Sequence, residues 1–151
     1  MKVAINRPYG GFSLSPWMLF RLREIQGLPI YAFSYIYKNG VKVFTPISKE
    51  DALNPKLGVT FSDIPEYKEE DFETRSENPN SNWYKEHNIS PYIFTSSTGD
   101  RTNPFLIQVI EECPEEYNGG LAVIEIPDDV SWHIEEYDGS EWVAENHRTW
   151  S

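Results

Sequence analysis

A chain of 151 residues, 39% hydrophobic and 15% aromatic, has the length of one domain and enough apolar mass to bury a core. Its net charge of -11, from 24 acidic and 13 basic residues, argues against generic nucleic-acid binding, which depends on Lys and Arg neutralising phosphates. A single cysteine, Cys113, excludes an internal disulfide and a four-cysteine metal site, and no apolar run approaches the roughly 20 residues that cross a bilayer.

Val3 to Asn6 reads as a short strand, followed by a turn at Pro8-Tyr9-Gly10-Gly11-Phe12. Ser15-Pro16 starts a helix, with Ser15 as N-cap and Pro16 in the first helical position. Leu19, Leu22 and Ile25 supply its apolar stripe, and Gly27 ends it. Residues 30–37 and 41–45 are strands joined at Asn39-Gly40, a pair that tolerates positive φ. Ser48-x-x-Asp51 caps a short helix, and Gly58 to Phe61 is a strand. Residues 66–90 read as a charged loop.

Tyr92 to Thr95 is expected as a strand. A helix follows from Asn103-Pro104 and ends at Cys113-Pro114. Leu121 to Ile126 is a strand. Trp132 to Tyr137 and Glu141 to Glu145 form a second hairpin through Asp138-Gly139. The expected fold class is α+β: a mainly antiparallel sheet with about two helices packed on one face. No composition break marks a domain boundary, and 1–151 is expected to be a single domain.

Three segments bear a resemblance. KVAINRPYGGFSLS (Lys2 to Ser15), DRTNPFLIQVIEE (Asp100 to Glu112) and IPDDVSWHIEEYDGSEWVAENHRTW (Ile126 to Trp150) cover about one third of the chain. They resemble a widespread, functionally uncharacterised family of small bacteriophage and prophage proteins, and the resemblance implies a middle region, about 28–92, that varies among its members. The resemblance implies a phage source, and hence the cytoplasm of an infected bacterium. By analogy with phage proteins that counter host defence, it also raises capture of a cyclic-nucleotide or ADP-ribose signal.

The residues offer chemistry of their own. Asn6, Arg7, Tyr9, Gly10, Gly11 and Phe12 lie between a strand and a helix start. There, successive backbone N–H groups, the Arg7 charge and an aromatic ring could cradle an anionic nucleotide. Equally, the glycines serve a tight turn and Phe12 fills the core. His147, Arg148 and Trp150 offer a proton shuttle, a planar phosphate fork and a stacking face. Arg101 could add to an anion site at the following helix N-terminus, where Asn103 also serves as an ordinary cap. Glu135, Glu136, Asp138, Glu141 and Glu145 read as a solvated acidic hairpin, with Glu135 and Glu136 on opposite faces. His87, His133 and His147 lack zinc spacing, and no cofactor or metal is implied.

Three functions remain open at this stage. The first is a homo-oligomeric protein that sequesters a nucleotide-like signal. The second is an acidic interaction or inhibitor module that engages a host protein. The third is an enzyme acting on nucleotide or ADP-ribosyl groups, with His147 and Glu141 or Glu145 in acid–base roles; no membrane partner is expected.

Overall fold

The computed structural model describes residues 1–67, 86–94 and 100–146. The fold is α+β, with three α-helices and seven antiparallel strands among the described residues. The contacts cluster into two units, Met1–Gln26 with Pro91–Ser151, and Gly27–Ser90.

In the first unit, β1 (Lys2–Asn6) pairs with β5 (Leu121–Glu125). The helix α1 (Pro16–Gln26) starts where Ser15 and Pro16 place it, and Gly27 ends it at φ +69°. Met18, Leu19 and Leu22 form its buried side. The helix α3 (Pro104–Glu112) is capped by the Asn103 side chain, which accepts from the N–H groups of Phe105 and Leu106. Leu106, Ile107, Val109 and Ile110 are its buried residues, and α3 packs on α1, β1 and β5. The strands β6 (Trp132–Tyr137) and β7 (Ser140–Glu145) form a hairpin through Asp138 and Gly139, at φ +48° and +85°.

In the second unit, β2 (Tyr31–Lys38) lies between β3 (Val41–Ile47) and β4 (Gly58–Ser62). Asn39 and Gly40, both at positive φ, turn β2 into β3. Ser48 caps α2 (Lys49–Leu53) by accepting from the Asp51 N–H. An isolated bridge joins Ser62 to Asn88.

The strands fall into three small sheets, two built on local hairpins and one, β1–β5, on strands distant in sequence. Residues 91–94 form a turn, not the strand expected from Tyr92 onward. The carbonyls there point to particular donors: Pro91 accepts from the Leu14 N–H and Phe94 from the Arg101 side chain. A ladder would need those groups in a different alignment. Thr95 lies outside the described residues, as does most of the 66–90 loop.

Candidate functional site

The two ends of the first unit meet. The register of β1 on β5 explains where. Ile126 N–H donates to Met1 C=O and Arg7 N–H to Gly120 C=O, so Val3 and Ile5 turn their backbone groups toward β5. Ala4 and Asn6 turn theirs away. Arg101 Nη1 donates to the Ala4 carbonyl at 3.2 Å, and the Asn6 N–H donates to Glu141 Oε1 at 2.8 Å. An ion pair therefore stands where a third strand would stand.

That pair is buried. Arg101 has 0% exposure, and its guanidinium holds Glu141 through two bonds of 2.7 and 2.9 Å. Its Nε donates to Phe94 C=O at 2.6 Å, and its plane lies over the Phe12 ring, 3.8 Å from the centroid. A buried charge needs both a counter-charge and hydrogen bonds, and Arg101 has them. The reading of Arg101 as an open anion-binding group is thereby corrected, since its charge is already matched by Glu141. Glu141, expected in the solvated acidic hairpin, is likewise corrected: its side chain is 9% exposed and paired with Arg101.

Other contacts lock the hairpin turn against the N-terminal turn. Gly10 N–H donates to Asp138 C=O at 3.0 Å. The Asn6 side-chain amide donates to both Pro8 C=O and Gly139 C=O at 2.7 Å, so Asn6 is a structural clamp and is buried. Ser140 Oγ donates to Arg7 C=O at 2.6 Å. The Tyr9 and Tyr137 rings meet edge to face, with centroids 6.5 Å apart. Gly10 and Gly11 both hold positive φ, but the Gly10 N–H is committed to Asp138. Phe12 is buried beneath Arg101.

Beside this junction lies a hollow of about 340 Å³. Its walls include Gly10, Gly11, Phe12, Tyr92 and Ile134, together with Glu136 and Glu141. Among the described residues, the charged groups lining the space next to the diglycine turn are carboxylates. Of the residues proposed from sequence, the structure brings Asn6, Arg7, Tyr9, Gly10, Gly11, Phe12 and Arg101 together. His147, Arg148 and Trp150 lie outside the described residues.

The outer face of the hairpin carries groups that the sequence reading did not single out as a site. Register opposes Glu135 to Trp142 and Tyr137 to Ser140, which puts His133, Glu135, Tyr137 and Trp142 on one face. The Trp142 indole N–H donates to Glu135 Oε2 and His133 Nε2 bonds Glu135 Oε1, each at 2.9 Å. His133 Nδ1 also contacts the Asn146 side-chain oxygen. The alternation of Glu135, Tyr137 and Trp142 around Asp138-Gly139 was the signal that could have found this face.

The Glu135 carboxylate, and then Asn146, raise the His133 pKa above its ordinary 6.5. Folding thus favours the protonated ring. The stabilisation is full below 6.5 and fades as pH rises through the higher folded-state value. An NMR titration is expected to show His133 titrating above an unperturbed histidine, and Glu135→Gln is expected to bring it down. A His133 that titrates alike in both proteins would remove this contact from the account.

Burial pushes the Cys113 thiol up to about 11, so it stays protonated at neutral pH and is a poor nucleophile. Among the described residues, no group of three or more His, Cys, Asp or Glu side chains is placed to hold a metal ion. No described helix is long and apolar enough to cross a membrane. No protein-family model, curated protein or solved structure matches the chain.

Proposed function

We propose that this chain is a protein-interaction module that engages a basic partner through the aromatic outer face of the β6–β7 hairpin, which also carries Glu135. The observation that carries this reading is the exposure of Tyr137 (70%) and Trp142 (44%) on the hairpin face that also carries Glu135, with Asp138 in the adjoining turn. Tyr9, 69% exposed, extends the aromatic surface from the N-terminal turn. Aromatic faces beside carboxylates suit Arg and Lys side chains, which gain cation–π and charge contacts together. The bond from the Trp142 indole to Glu135 orients that ring before any partner arrives. The net charge of -11 favours approach of a basic molecule.

A second reading, capture of an anionic nucleotide-like molecule, is supported by Arg7, which is exposed in the same N-terminal turn as Tyr9. Calorimetric titration separates the two. An arginine-rich peptide is expected to bind saturably and to weaken as salt rises. Tyr137→Ala and Trp142→Ala are each expected to weaken it about fivefold, the value of one cation–π contact of roughly 1 kcal/mol. Binding of ADP-ribose or a cyclic dinucleotide that Arg7→Ala abolishes, with no peptide binding, would overturn the first reading in favour of the second. Peptide binding indifferent to salt and to both aromatic variants would also overturn it.

A further inference from the structure

The β1–β5 sheet has two edges, and the structure closes only one of them. On the β1 edge, Arg101 donates to the Ala4 carbonyl and Glu141 accepts from the Asn6 N–H. On β5 the outward groups belong to Leu121, Val123 and Glu125, because Ala122 and Ile124 face β1. The Leu121 N–H is taken by Asn118 C=O. Among the described residues, the Leu121 carbonyl, both backbone groups of Val123 and the Glu125 N–H have no hydrogen-bond partner.

We propose that this edge docks a second copy of the chain, β5 against β5, antiparallel about a two-fold axis at Val123. The pattern of open donors and acceptors matches itself in this register. Val123 of each copy exchanges two bonds with Val123 of the other. The Glu125 N–H of each copy reaches the Leu121 carbonyl of the other, while both Leu121 N–H groups stay with Asn118. Two two-stranded sheets become one of four strands, beyond the size at which a sheet gains independent stability.

The sequence of the edge fits this use. Leu121-Ala122-Val123-Ile124-Glu125 contains neither Lys nor Pro, the residues that usually blunt an exposed edge. By contrast, the edge strand β3 of the second unit carries both Lys42 and Pro46.

Sedimentation velocity over a concentration series tests the proposal. The expected result is a species of twice 17.6 kDa that dissociates on dilution. Val123→Pro removes the central outward N–H but no bond to β1, so the chain should melt cooperatively and dimerise at least tenfold more weakly. In a Cys113→Ser background, a short bifunctional thiol-reactive cross-linker (a bis-maleimide) should join copies carrying Val123→Cys. It should not join copies carrying Glu125→Cys, since those positions lie at opposite ends of the paired strands. A chain that stays monomeric at every concentration overturns the proposal. So does a dimer that Val123→Pro leaves intact, or one that cross-links through position 125 and not 123.

Discussion

Glu141→Ala is expected to lower stability by about 3–5 kcal/mol, the usual cost of leaving one member of a buried ion pair without its partner. In a chain of this size that corresponds to a fall in Tm of about 10 °C or more. Three losses combine in this variant. Arg101, fully buried, loses its counter-charge. The Asn6 N–H loses its acceptor, and the hairpin loses one of its ties to β1, keeping that of the Asn6 side-chain amide to Gly139. Arg101→Met should cost a comparable amount, because Glu141 is then the unmatched charge and the Ala4 and Phe94 carbonyls lose a donor.

The double variant Arg101→Met/Glu141→Leu separates these contributions. It leaves no buried charge, so it should be more stable than either single variant. It should still fall short of the parent by about 2–3 kcal/mol, because backbone groups of Ala4 and Asn6 lose their partners at about 1 kcal/mol each or more. Urea denaturation of the four proteins measures the coupling. Additive single effects, or a Glu141→Ala cost below about 1 kcal/mol, would show that the pair does not hold the ends together.

Gly139→Ala is the second large effect, expected at about 3 kcal/mol. Positive φ alone costs an L-residue about 1–2 kcal/mol, and overpacking adds a further 1–3. Gly139 holds φ +85°, and a Cβ there would stand 2.2 Å from Gly11 N and 2.8 Å from Gly10 N. Both neighbours are backbone and cannot rotate aside, so the hairpin turn must retreat from the N-terminal turn. Gly119→Ala is the control: it has positive φ too, at +59°, but open space around it, and should cost only the conformational part. Equal costs at the two positions, read from thermal melts, would mean that the turns are not in close contact.

The local elements were legible because each carries a local signal. Ser15-Pro16 and Asn103-Pro104 start helices by supplying a cap and a ring preset for the first turn. Asn39-Gly40 and Asp138-Gly139 turn hairpins because both residues accept positive φ. Tyr92 to Phe94 misled because aromatic and β-branched residues favour strands, while the Leu14 N–H and the Arg101 side chain hold the carbonyls of Pro91 and Phe94 in a turn. Propensity yields to such distant contacts.

The site was only half legible. The glycine turn and its neighbours in sequence were found, and they do gather at one place. The chemistry assigned to Arg101 was not, since its partner Glu141 lies 40 residues away and nothing local announces the pairing. Strand alternation did hold a hint. It puts Glu141 on the same side of the hairpin as Ile134 and Val143, and a carboxylate on a half-buried face calls for a cation. Burial of that cation turns a proposed ligand group into a structural one, and shifts the functional weight to the aromatic and acidic groups outside.

Native-state hydrogen exchange at the Asn6 and Gly10 amides tests the meeting of the two ends most directly. Neither N–H is bonded to β5; each is bonded only to the hairpin segment, through Glu141 and Asp138. Both amides are expected to exchange as slowly as those of Val3 and Ile5 inside the β1–β5 ladder, and to lose that protection together in Glu141→Ala. Exchange of both at the rate of an open loop in the parent protein, with Val3 and Ile5 still protected, would show that the ends do not lock.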